Sequence, residues 1–150
     1  MYIYGGYDIR EGPMSSMWSF DLSKVGNLDN MQGPPLHWNQ LAVQGIKKPG
    51  ALSNHSSVVY NKKMYLFGGS TGLNTNATLY GYEPGSNLWE LTRVKAADNN
   101  QENLPQGSDE HTAVVHEDSM FVFGGFIDGD RVDFTYKFNF KSGEWHFISF

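Results

Sequence analysis

The apolar residues of this chain gather in short β-rich runs closed by turn residues, a pattern of strands rather than helices. "SSVVY" (56–60) and "MYLF" (64–67) are joined by Asn61-Lys62-Lys63, and "AVVH" (113–116) and "MFVF" (120–123) by Glu117-Asp118-Ser119. Both connections have hairpin length. The near-continuous apolarity of these runs predicts strands covered on both faces. A third run differs, because Tyr136, Phe138 and Phe140 alternate with Lys137, Asn139 and Lys141, the period of a strand with one wetter face. A fourth short strand carries Trp89 or Trp145 after the turns "EPGSN" and "KSG". Four antiparallel strands, a to d, then make one small sheet per unit.

The unit repeats. A shift of 56 residues aligns 49–94 with 105–150 without a gap. The identical pairs are Pro49/Pro105, His55/His111, Val58/Val114, Val59/Val115, Met64/Met120, Phe67/Phe123, Gly68/Gly124, Gly69/Gly125, Tyr80/Tyr136, Ser86/Ser142 and Trp89/Trp145. A period of this size points to a repeat architecture in which each unit buries its core against its neighbours. The opening "MYIYGG" matches "MYLFGG" and "MFVFGG", so Gly5-Gly6 is a third copy of the glycine pair and the first unit begins at strand b. Phe20 falls near the Tyr82 position and Trp38 near the Trp89 position, with an insertion, "SKVGNLDNMQGPP", between strands c and d. The three units span 1–43, 49–94 and 105–150. Glycine at the end of strand b permits positive φ and close approach of a ring. Tyr82 with Trp89, and Phe138 with Trp145, are the expected lid over the glycine pairs.

The block "HSSVVYNKKMYLFGG" followed by Tyr82 and Trp89 resembles a Kelch repeat, and "HTAVVHEDSMFVFGG" with Phe138 and Trp145 resembles another. The resemblance covers nearly the whole chain. It implies an all-β, Kelch-type β-propeller, about three four-stranded antiparallel blades with the first lacking strand a, as half of a six-bladed ring. Leu52 and Ser108 stand where the family often has a basic residue, and Phe138 replaces a tyrosine. Three blades do not close a ring, since propellers take roughly 4 to 8. The sequence therefore reads as part of a larger protein, with a ring of two copies as the alternative.

Composition narrows the chemistry. With 150 residues, 39% hydrophobic and 18% charged, the chain is globular, and its net charge of −5 argues against a nucleic-acid or anionic-membrane surface. No apolar run approaches the ~18 residues of a membrane span, and no signal peptide is evident, so a cytoplasmic location is expected. Zero cysteines remove disulfides, thiolate metal sites and cysteine nucleophiles. Of five histidines only His55 and His111 share a repeat position, which is what a hydrogen-bonded structural role predicts. Asp128-Gly129-Asp130 with Asp133 lacks the spacing and terminal glutamate of a calcium loop. No nucleophile elbow, zincin or P-loop motif occurs, and no cofactor is expected.

Two classes of function remain open. One is a protein-interaction module, the commonest use of the family's propellers. The other is an enzyme on the same scaffold, such as a sugar epimerase or specifier-type protein, with its pocket completed by further blades. In antiparallel sheets successive connections alternate ends, so b-to-c and d-to-a loops share one face. Those loops offer Tyr7, Asp8, Arg10, Thr71, Phe126, Asp128, Asp130 and Arg131 as candidate partner contacts. Gly5, Gly6, Trp38, His55, Gly68, Gly69, Tyr82, Trp89, His111, Gly124, Gly125, Phe138 and Trp145 read as structural. The loops assigned to that face, 7–16, 44–54, 70–77, 96–110 and 126–133, together carry −5, equal to the net charge of the whole chain. A protein or peptide partner, basic in character and recognised by complementary charge, is the expectation, with Arg10 and Arg131 as local anchors for a carboxylate.

Overall fold

The computed structural model describes residues 1–25, 36–45 and 47–148. Among them there is no α-helix, only two single 3₁₀ turns at Leu22–Lys24 and Gln101–Asn103. In chain order the strands are β1 (Tyr2–Tyr4), β2 (Tyr7–Asp8), β3 (Gly12–Pro13), β4 (Met17–Ser19), β5 (Asn39–Leu41), β6 (Ser56–Tyr60), β7 (Lys63–Phe67) and β8 (Leu79–Glu83). They continue with β9 (Leu88–Leu91), β10 (Lys95–Ala96), β11 (Thr112–His116), β12 (Ser119–Phe123), β13 (Phe126–Ile127), β14 (Asp130–Arg131), β15 (Thr135–Asn139) and β16 (Glu144–Ile148).

These make three blade sheets. The middle blade is β6-β7-β8-β9, all antiparallel neighbours in sequence order. The last is β11-β12-β15-β16, with β10 added in parallel outside β16. Among the described residues the first consists of β1-β4-β5, without a strand a, as the register predicts. The a-to-b turns hold two residues each, and Asn61 and Lys62 both take positive φ, the backbone of a tight hairpin turn. Residues 26–35 of the inserted segment, and Ser149 and Phe150, lie outside the described residues.

The core lies between blades rather than within them. One cluster joins Tyr4 and Met17 of the first blade to Met64, Leu66, Tyr82 and Trp89 of the second. The other joins Phe67 and Leu79 of the second blade to Met120, Val122, Phe138 and Trp145 of the third. Strand β7 therefore sends alternate side chains into two cores, which is why its run reads as continuously apolar. The a strands do not share this. Val59 and Val114 are exposed, because β6 and β11 stand beside one another with one face uncovered.

The same arithmetic explains Trp38. The repeated tryptophans Trp89 and Trp145 face the preceding blade and are 2% exposed, whereas Trp38 is 42% exposed, with the Phe20 ring at 5.1 Å. At the other end, Val114, Phe121 and Phe123 correspond to Val58, Tyr65 and Phe67, which pack toward the third blade. Val114 and Phe123 are exposed. Each terminal blade thus presents the half of an interblade contact that its neighbour would complete.

Candidate functional site

The glycine pairs set the geometry of the loop face, and what covers them is histidine, not the expected aromatic lid. A Cβ on Gly5 would lie 3.2 Å from His55 Cε1, and one on Gly68 would collide with His111 Cε1 at 2.4 Å. From the other side, a Cβ on Gly69 would meet His55 Cβ at 2.8 Å, and one on Gly125 would meet His111 Cβ at 3.0 Å. Each histidine is wedged between the glycine pairs of two successive blades. Tyr82 pairs with Met64 and Phe138 with Met120, at the far ends of strands β7 and β12. The glycines have φ between 63° and 110° at these positions, open to a residue without Cβ.

The histidine rings are buried, and burial lowers the pKa of both below the usual 6.5, against the opposing pull of backbone hydrogen bonds with Tyr4 and Phe67. His111 is held on both nitrogens, with Nε2 2.8 Å from Ser56 Oγ and Nδ1 3.3 Å from Ser108 Oγ. His55 Nδ1 has no such partner, since Leu52 occupies the position of Ser108. Next to His55, the Tyr4 hydroxyl donates to the carbonyl of Pro49 at 2.6 Å, and burial pushes its pKa up to about 12. The phenol stays a donor at any physiological pH.

The b-to-c and d-to-a connections meet at one end of the blades, whereas the c-to-d insertion of the first blade leaves from the other end of its strands. The Gly6 N–H donates to Leu52 O, and a Gly69 Cβ would meet the adjoining Ser53 O, so both pairs sit at the same end. Gly72 lies against Pro13, and Gly107 against Thr75, so the b-to-c loops and the d-to-a connector are in contact. Two of these loops carry their own hairpins, β2–β3 and β13–β14. The opposite end is fastened instead by Tyr60, which stacks on Phe140 at 4.2 Å and donates to Asp118 Oδ1, while Lys141 pairs with Asp118 Oδ2 at 2.6 Å.

On the loop face a groove of about 450 Å³ opens between the second and third blades, lined by residues 70 and 72–75, Asp109, Phe126, Asp128 and Gly129. It brings together Phe126 and Asp128 among the candidates read from sequence, with Thr71 beside its rim. Tyr7, Asp8 and Arg10 are exposed on the separate hairpin over the first blade, where Asp8 Oδ1 caps the turn by accepting from the N–H groups of Arg10 and Glu11. Asp130 is exposed at the tip of β14. Arg131 is not a free anchor, because its Nη1 lies 3.0 Å from Glu110 Oε2 and its guanidinium sits over the Phe126 ring. Asp109 escaped notice except as one acid in the loop charge. Its burial is the signal that matters, and no charge count contains it. Among the described residues no group of three or more His, Asp or Glu side chains is placed to hold a metal ion. No described helix is long and apolar enough to cross a membrane.

An all-strand series of blades, locked through glycine and histidine at the loop end and through aromatic cores between sheets, defines a segment of a β-propeller of the Kelch type. A family model described as the KLHDC2/KLHL20/DRC7 Kelch-repeats domain matches residues 1–150, and the chain belongs to the Kelch-repeat family. It is similar to Kelch domain-containing protein 3 of Bos taurus, 27% identical over 130 residues, covering 85% of this chain and 29% of that protein. It is also similar to the leucine-zipper-like transcriptional regulator 1 homolog of Drosophila melanogaster, 30% identical over 95 residues, 63% of this chain and 9% of the relative. A third relative is the host cell factor homolog hcf-1 of Caenorhabditis elegans, 30% identical over 134 residues, 84% of this chain and 16% of the relative. The chain thus spans less than a third of the length of these relatives.

Proposed function

We propose that this chain is the interaction segment of a larger Kelch adaptor or scaffold protein, which binds a protein or peptide partner through its b-to-c and d-to-a loops. The observation that carries the reading is the meeting of b-to-c and d-to-a connections at one end of the blades, with a groove lined by Asp109 and Asp128 between two of them. A basic partner is the reading that charge supports: Asp8, Asp128 and Asp130 are exposed on that face, while Arg131 is paired with Glu110. The repeated histidines His55 and His111 are accounted for by packing against the glycine pairs.

Further blades of a longer chain would cover Trp38 at one end and Phe123 at the other, with a second copy of this chain as the alternative. Light scattering separates these arrangements: a clean dimer favours two copies, association without a defined size favours missing blades, and a stable monomer contradicts both. For the function, a surface-immobilised chain is screened against an array of basic and acidic peptides. Binding of basic peptides that weakens with salt and slows in association on reversal of Asp128 and Asp130 supports the reading. Affinity indifferent to both charge and salt refutes it.

A further inference from the structure

Within that face, one carboxylate keeps a buried oxygen without a hydrogen-bond partner. Asp109 is only 8% exposed, yet its Oδ1 has no hydrogen-bond partner. Among the described residues no ion pair includes it. Buried polar atoms in native proteins are almost always satisfied, and an exception calls for an explanation. Burial of an uncompensated charge is costlier still.

The repeat supplies the control. Ser53 is the equivalent of Asp109 in the second blade, 4% exposed, and it exchanges both backbone hydrogen bonds with Ser70. Asp109 exchanges the same pair with Phe126, the equivalent of Ser70. The backbone bridge therefore works with a serine, and the fold does not ask for a carboxylate. The neighbouring ionisable groups do not neutralise it either. The Asp109 carboxylate pulls the His111 pKa up, but burial outweighs it and favours the neutral imidazole, and Arg131 is engaged by Glu110. What Asp109 does have is a place in the lining of the groove, together with Asp128, Asn74, Thr75 and Phe126.

We propose that this groove is a socket for one cationic side chain, lysine or arginine, of a peptide partner, with the Asp109 carboxylate as its buried acceptor. Asp128 and the polar loop residues would surround the charged head. The proposal rests on the reading of the loop face as partner-binding and goes further in naming the residue class recognised and the atom that recognises it.

The test titrates the ¹⁵N-labelled chain with the peptide acetyl-Gly-Gly-Arg-Gly-Gly-amide, and in parallel with the same peptide carrying neutral citrulline. Saturable shifts confined to the amides of 72–75 and 128–129, at least tenfold weaker for citrulline, are the expected result. Asp109→Ser installs the residue that the second blade already uses, and should weaken arginine binding at least tenfold with the melting temperature preserved. Asn74→Lys, an exposed change that leaves the buried bridge alone, should do the same by repulsion. Shifts spread across the hairpins at Asp8 and Asp130, shifts of equal size with citrulline, or no shifts at all would each overturn the socket. Capture of longer basic peptides that is sensitive to Asp128 and Asp130 but indifferent to Asp109→Ser would overturn the socket while leaving the partner-binding face intact. Failure of those longer peptides to bind would remove the face itself.

Discussion

The two tryptophans Trp89 and Trp38 occupy the same place in the repeat, which makes them an internal measure of what an adjacent blade contributes. Trp89 lies against Tyr4 of the preceding blade at 5.1 Å and against Tyr82 of its own at 5.2 Å, whereas Trp38 has Phe20 alone among these ring contacts. An aromatic side chain removes roughly 200 Å² from water when fully covered. The exposures of 2% and 42% leave about 80 Å² of that wet at Trp38, and at ~25 cal/mol per Å² the difference is about 2 kcal/mol. Trp89→Ala should cost ~3 to 5 kcal/mol, the usual range for an aromatic deleted from a core, and Trp38→Ala about 2 kcal/mol less. Urea unfolding of the 150-residue chain, followed by circular dichroism so that the lost indole does not bias the signal, gives both values. Equal costs would refute the assignment of Trp38 to an uncovered blade face. If Trp89→Ala kept the midpoint while abolishing partner binding, the core role of the indole would be wrong.

The glycine pairs give a second contrast: Gly69→Val adds a side chain at φ 95° into contact with His55 and should destabilise by ~2 to 4 kcal/mol, whereas Gly129→Ala, at φ 98° but in open space, should cost about 1 kcal/mol in the same assay. The histidines predict an acid-side loss of stability. Their folded pKa values are depressed, so the unfolded chain binds protons first, and their contribution is complete above about 6.5 and lost as pH falls from there through the lower folded values. A melting temperature that declines below pH 6.5, with a shallower decline in His55→Gln, is expected, and a flat profile through pH 5 would contradict the burial argument.

Much of this architecture was legible in the chain because each blade repeats the same pattern of runs and turns. The 56-residue register placed the strands of the second and third blades, and the match of the opening run to the later glycine pairs placed the start of the first at strand b. What the pattern could not reveal is contact between one unit and the next. Tyr82 and Trp89 are the conspicuous aromatics near Gly68-Gly69 in sequence, yet an antiparallel sheet carries them to the far end of the strand while His111, some forty residues on, arrives at the glycine. The short strand β10 was missed for a similar reason. Two residues have no period, and only their parallel pairing with β16 defines them. Asp109 was visible as a charge but not as a buried one, since burial is set by contacts between segments distant in sequence.

The histidine wedge also bears on how such chains change length over time. Each wedge takes its glycine from one repeat and its histidine from the next, so the joint straddles the boundary between them. Duplication or loss of one whole period leaves every joint with both halves, because any copy of the glycine pair fits any copy of the histidine. Gain or loss of a fraction of a period strands a glycine without its histidine, or places two bulky residues where only one fits. Selection on this geometry alone would let lineages vary in whole blades while keeping the phase within the blade fixed.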